Sequence, residues 1–145
     1  MQLVKSGDYN LPDNKVKVYL AGNMGSPWRA QFVKDLANED IILIDPTNED
    51  YNKQDFNSFR QHCYWEIDML NVADLIVVWM DESSVGPISL FEIGYACGSA
   101  MAKENIGDKL IMGVDQHYPK RKDLLVRWSY FFNKINDNTD ELLDE

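Results

Sequence analysis

Leu75-Ile76-Val77-Val78-Trp79 is an unbroken apolar run dominated by β-branched side chains, and a helix-patterned segment follows it at residues 89–103. An apolar run with no polar alternation suits a strand covered on both faces, which is how a parallel strand between helix layers reads. Runs of the same kind stand at residues 16–20, 41–44 and 109–114. Helix-like segments separate them. Residues 26–38 open with Ser26 as an N-cap and Pro27 at the first helical position, then place Trp28, Phe32, Val33 and Leu36 roughly on one face. Residues 57–72 repeat the pattern with Phe59, Tyr64, Trp65, Ile67, Met69 and Leu70. Residues 123–132 form a fourth element that the pattern assigns to neither type.

Strands that alternate with helices imply right-handed βαβ crossovers and a mostly parallel sheet. The expected fold is therefore α/β, a doubly wound three-layer sandwich of flavodoxin- or Rossmann-like type. The expected strand order is the 41–44 run, then 16–20, 75–79 and 109–114. In that order the 16–20 and 75–79 strands are neighbours whose helices leave on opposite faces, which opens a ligand crevice at their carboxyl ends. The loops at residues 21–27 and 80–88 would flank it.

A chain of 145 residues, 45% apolar and 26% charged, fits one domain over residues 1–145. Residues 1–14 read as an N-terminal extension and residues 136–145, with five acidic side chains, as a loosely held acidic tail. A formal charge of -10 repels polyanions, so a nucleic-acid polymer is not the expected ligand, whereas a single nucleoside needs only local contacts. Cys63 and Cys97 have no metal-ligand or CxxC spacing, and neither a disulfide nor a zinc site is expected. No segment has the apolar length of a signal peptide or a membrane span, so the expected location is cytoplasmic.

The chemistry concentrates in two loops and two helices. Pro87-Ile88-Ser89-Leu90-Phe91-Glu92-Ile93-Gly94 begins a helix at the crevice. Ser89 and Glu92 match the S-x-x-E capping box, which satisfies orphan amides at a helix start. A carboxylate held there is also poised to attack a ligand carbon, and capping could itself hold the nucleophile. Tyr19-Leu20-Ala21-Gly22-Asn23-Met24-Gly25 lets backbone approach a ligand closely, or is simply a turn that needs glycine. It has no P-loop lysine and no G-x-G-x-x-G, and a triphosphate or dinucleotide site therefore lacks its signature. Glu66 and Asp68 follow Trp65 on the second helix; two positions apart, at most one should reach a common site, and acidic residues there are commonly just solvated. Trp65, Trp79 and Tyr95 could stack on a base or belong to the core. His62 and His117 are isolated in sequence, and no H-E-x-x-H or G-x-S-x-G occurs. Metal hydrolysis and serine chemistry gain no support.

These pieces, in this order, resemble the nucleoside 2-deoxyribosyltransferase family and its nucleotide N-glycosidase relatives. The likeness rests on Val18-Tyr19-Leu20-Ala21-Gly22, on the stretch from Trp65-Glu66 to Ala73-Asp74, and on Gly86-Pro87-Ile88-Ser89-Leu90-Phe91-Glu92-Ile93-Gly94, covering residues 16–114. The P-I-S-L-x-E-x-G form looks especially like the transferase-like branch. The resemblance implies a retaining double displacement in which Glu92 attacks the anomeric carbon, a glycosyl-enzyme forms as the base departs, and a second base or water then attacks. It makes Tyr19 the residue that orients the nucleophile and Glu66, eight positions before Asp74, the acid that handles the base, with Asp68 as the fallback. Gly22, Asn23, Met24, Trp65, Ser84, Gly86 and Ser89 are the expected substrate-binding residues. No cofactor and no metal is implied. Val85-Gly86 stands where the best-known transferases carry Asp-Gly, so their base preference does not carry over.

The resemblance also implies a homo-oligomer whose sites are completed by a neighbouring subunit's C-terminal region. Tyr118-Pro119-Lys120-Arg121-Lys122-Asp123 could serve there, or be a solvated basic turn. Three functions follow: transfer of 2-deoxyribose between bases, hydrolysis of a nucleoside or nucleotide, for which Ser83, Ser84 and Ser89 offer phosphate donors, and a nucleotide-binding sensor without turnover.

Overall fold

A computed structural model describes residues 1–25, 27–48, 54–102 and 109–131. The elements are β1 (Gln2–Lys5), β2 (Val16–Gly22), α1 (Trp28–Asp35), β3 (Ile41–Asp45), α2 (Phe56–Val72), β4 (Leu75–Met80), α3 (Pro87–Ala102), β5 (Leu110–Val114) and α4 (Arg121–Phe131). Hydrogen bonds join the strands in the order β1-β3-β2-β4-β5, an all-parallel sheet in a doubly wound α/β fold. The four strands expected from the apolar runs hold the expected order. Outside them lies β1, in a stretch where the sequence announced no element. It pairs parallel with β3, Gln2 opposite Ile42 and Val4 opposite Ile44. Only Val4 of β1 is buried, and one inward side chain in four residues leaves no periodicity to read.

The residues group into two compact units, 1–21 with 27–76, and 22–26 with 77–145. In the first, β2 and β3 are buried from Val18 and Ile42 onward, as double-sided strands should be. Asp55 caps α2 by accepting from the amide of Asn57 at 3.0 Å, and the helix buries Trp65, Met69 and Leu70 while Phe59 and Tyr64 stay exposed. Asp74 ties the two strand entries together: its amide donates to Lys17 O at 2.9 Å and its carboxylate accepts from Lys17 N at 2.8 Å. α1 departs from expectation. Pro27 occupies the N-cap and not the first helical turn, the helix ends at Asp35, and its buried residue is Arg29 in place of the apolar set. Ser26 lies outside the described residues.

In the second unit, Gly113 leaves room for the Trp79 ring, since a Cβ there would lie 2.5 Å from Trp79 Cε3. β5 begins at Leu110, and the element expected at residues 123–132 is, over its described residues, a helix that starts earlier, at Arg121. Among the described residues no helix is long and apolar enough to cross a membrane, and no group of three or more His, Cys, Asp or Glu side chains could hold a metal. Lys103 and the tail at residues 136–145 lie outside the described residues.

Candidate functional site

In the second unit, the chain leaves β2 through Gly22 at φ 121° and turns into Asn23, which is 2% exposed. Asn23 fastens two loops. Its amide donates to Trp79 O at 3.1 Å, and its side-chain Nδ2 donates to Asp81 O at 2.8 Å, Ser84 O at 2.9 Å and Asp81 Oδ1 at 3.2 Å. Asp81 Oδ1 accepts from Ser83 N at 2.8 Å, Ser84 Oγ accepts from Gly86 N at 3.1 Å, and the buried Tyr118 hydroxyl donates to Val85 O at 2.8 Å. The loop between β4 and α3 is thus fixed from three sides, the rigid support that a binding loop needs. Of the expected binding residues, Asn23 and Gly86 are buried in this scaffold, while Met24 and Ser84 are exposed.

Gly86 decides how α3 begins. Its φ is +60°, its carbonyl accepts from Leu90 N at 3.0 Å, and Pro87 takes the first helical position, where a missing N–H costs nothing. The capping box expected from Ser89 and Glu92 is therefore not formed: Ser89 lies within the first turn and Glu92 in the second. Glu92 is nevertheless 6% exposed, as is Ser89, on the flank of α3 that also buries Ile93, Ala96 and Cys97, while Ile88 and Phe91 face outward. Phe91 and Tyr95 stack on each other with ring centroids 6.4 Å apart. An apolar cavity of about 360 Å³ between α3 and α4 is lined by Leu90, Ile93, Cys97, Leu124 and Trp128 with Lys120 and Arg127. Lys120 leads into α4, whose first residues are Arg121 and Lys122, and Tyr118 anchors that turn inward.

The first unit holds Tyr19, Trp65, Glu66 and Asp68. Tyr19 is fully buried in β2. A cavity of about 400 Å³ lies past the carboxyl ends of β1 and β3 and against α2, lined by Ser6, Tyr9, Asn48, His62, Trp65 and Asp68 among others. Trp65 is 1% exposed and its Nε1–H donates to Asp8 O at 2.8 Å. Asp68 is exposed and accepts from the Tyr9 hydroxyl at 3.2 Å, whereas Glu66 turns to His62, whose Nε2 lies 3.2 Å from Glu66 Oε1. The other ring nitrogen, Nδ1, lies 2.7 Å from Ser6 Oγ. His62, isolated in the sequence, thus joins two elements in space.

A second group escaped the sequence reading. Asp45, buried at the end of β3, pairs with the Lys5 ammonium and accepts from the amide and hydroxyl of Thr47, with Arg29 Nε at 3.8 Å. Arg29, 6% exposed, also donates from Nε to Leu20 O at 3.1 Å. Burial works against the Asp45 charge, but Lys5 and Thr47 override it and hold the carboxyl below its ordinary value. No periodicity marks such residues, because apolar pattern reading treats a buried arginine and aspartate as breaks.

Burial pushes His62 below its ordinary 6.5. Because the unfolded chain then binds the extra proton, the stability tied to His62 is complete above pH 6.5 and is lost as pH falls toward the folded value. Asp45 acts in a separate window, below pH 3.8. Thermal unfolding followed from pH 8 to pH 5 should show a falling midpoint, and His62→Gln should flatten that slope while leaving the acid limb below pH 4. An unflattened slope would mean that another group carries it.

A search of curated proteins returns no match. The model of a family described as nucleoside 2-deoxyribosyltransferase like matches residues 15–107, well over half of the chain. That span runs from the start of β2 through α3 and contains Tyr19, Asn23, Glu66 and Glu92. The chain belongs to the nucleoside 2-deoxyribosyltransferase-like family, whose name denotes glycosyl transfer.

Proposed function

We propose that the protein cleaves the N-glycosidic bond of a (deoxy)nucleoside through a covalent glycosyl–Glu92 intermediate and passes the 2-deoxyribosyl group to a second base. The observation that carries this reading is Glu92: a carboxylate withdrawn from water to 6% exposure, in the second turn of α3 where the helix does not use it as a cap. Withdrawing a carboxylate from water is costly, and sites of chemistry are where such costs are retained.

In this reading the Glu92 carboxylate attacks C1′ of the sugar as the glycosidic bond breaks, and the charge that develops on the ring is oxocarbenium-like, as in retaining glycosidases. The family likeness assigns Tyr19 the part of orienting the nucleophile. Glu66 supplies a proton to the departing base nitrogen, and in the second half-reaction takes one from the incoming base, which attacks C1′ and frees Glu92. Asn23 holds the β4–α3 loop in place so that Ser84 and backbone groups can meet the sugar. The ligand is a free nucleoside or nucleotide, consistent with a charge of -10 that repels polymers. A neighbouring copy that presents its basic turn at residues 118–123 would complete the site.

Incubating the protein with several deoxynucleosides and a different free base, then separating the products by chromatography, tests the reading. A new nucleoside is the expected product. Free base and sugar alone would replace transfer by hydrolysis, and no change with any nucleoside or nucleotide would leave a binding module.

A further inference from the structure

We propose that Ser6 and His62 are positioning residues that form, with Glu66, a proton relay running from the cavity beyond β1 and β3 to the carboxyl group that serves the departing base. The inference rests on the role given to Glu66 above. Ser6 lies outside the residues 15–107 that the family model matches, and only the fold brings it to His62, 56 positions away.

The relay is legible in the geometry. Ser6 Oγ is 2.7 Å from His62 Nδ1, and His62 Nε2 is 3.2 Å from Glu66 Oε1. One neutral tautomer satisfies both contacts: Nε2–H donates to Glu66 while Nδ1 accepts from the Ser6 hydroxyl. Burial, with only 10% of the His62 side chain and 13% of that of Glu66 exposed, favours the neutral ring that this arrangement needs. Asn48 Nδ2 donates to Ser6 Oγ at 3.3 Å, which leaves the Ser6 hydrogen directed at the ring. Ser6 and His62 both line the 400 Å³ cavity, and exposed Tyr64 and Asp68 form its outer wall, so solvent reaches the serine end of the chain. The groups that face His62 are Ser6 after β1, Asn48 after β3, and Glu66 on its own helix; Asp68 lines the same cavity, and Cys63 is the next residue along the helix.

The proton balance closes over a cycle. When protonated Glu66 gives its proton to the leaving base, the carboxylate formed takes the Nε2 proton of His62. Nδ1 takes the Ser6 hydroxyl proton, and Ser6 takes one from water. The incoming base, or the attacking water, returns a proton to Glu66 in the second half-reaction, and the chain runs backward. No redox partner is needed.

The test compares His62→Gln and Ser6→Ala with the unaltered protein on two substrates: a deoxynucleoside, whose base must be protonated to leave, and p-nitrophenyl 2-deoxyriboside, whose leaving group departs as an anion. For His62→Gln, kcat/KM on the nucleoside should fall on the order of 100-fold further than on the nitrophenyl glycoside, the lower range for losing assisted proton transfer. Ser6→Ala should show the same selectivity in smaller measure. Equal losses on both substrates, or none on either, would overturn the relay and leave the glycosyl–Glu92 reading standing. If the unaltered protein cleaves neither substrate, that reading fails and the relay falls with it. A readout on the unaltered protein serves where a variant does not fold: nitrogen-15 NMR at pH 8 should find His62 neutral with its proton on Nε2, and a proton on Nδ1 would overturn the proposal.

Discussion

Glu92→Ala is expected to abolish turnover, lowering kcat/KM by about 10⁴-fold or more, the scale on which enzymes lose a covalent nucleophile. The fold should survive. Because α3 starts at Pro87, Glu92 does not stand at the third helical position that a capping box requires, and the helix start is set by Gly86 and Pro87. Circular dichroism should therefore show the helical content of the original protein. Glu92→Gln should behave alike, since it keeps the shape and removes the nucleophile. Two measurements check this: steady-state rates with the best nucleoside, and intact-protein mass spectrometry after acid quench, in which only the unaltered chain should carry a deoxyribosyl adduct. A Glu92→Ala protein that turned over substrate at the original rate would remove Glu92 from the mechanism.

The capping box shows how a sequence pattern can hold and its meaning fail. S-x-x-E is present at Ser89 and Glu92, yet Gly86 reaches a φ of +60° and Pro87 fits the first helical position, and these two backbone preferences start the helix three residues before Ser89 could. The strands were legible because double-sided burial writes itself into continuous apolar runs; residues 16–20, 41–44 and 75–79 mark β2, β3 and β4 to within two residues. β1 wrote nothing of the kind, with Val4 its one buried side chain. In α1 the pattern misled, since Trp28 and Phe32 keep partial exposure while Arg29 goes inward to Leu20 O and Asp45. Glu66 and Asp68 differ in their partners, His62 for one and Tyr9 for the other, which local spacing cannot show. His62 stands one helical turn before Glu66, but what fixes the pair is Ser6, contributed by a strand end far away in the chain.

Gly22→Ala should cost about 3 kcal/mol or more and disorder the β2 exit, because two independent penalties meet at one residue. The first is conformational: φ is +121°, where a side chain is strained whatever room surrounds it. The second is steric. A Cβ would lie 2.0 Å from Trp79 O and 2.8 Å from Trp79 C and N, and these are backbone atoms of a strand, which cannot rotate aside as a flexible side-chain end would. The same carbonyl accepts from Asn23 N at 3.1 Å, so moving Trp79 away would break the bond that seats Asn23 and, with it, the side-chain contacts to Asp81 and Ser84. Gly7 supplies the control, since its φ of +89° carries the strain alone and a Cβ there meets nothing within 4 Å. Urea unfolding should therefore place Gly22→Ala well below Gly7→Ala in midpoint, and the difference reports the close approach of the two strand ends. Equal midpoints would mean that backbone strain alone makes glycine necessary at position 22, and that the β2 exit can yield to a methyl group without displacing Asn23.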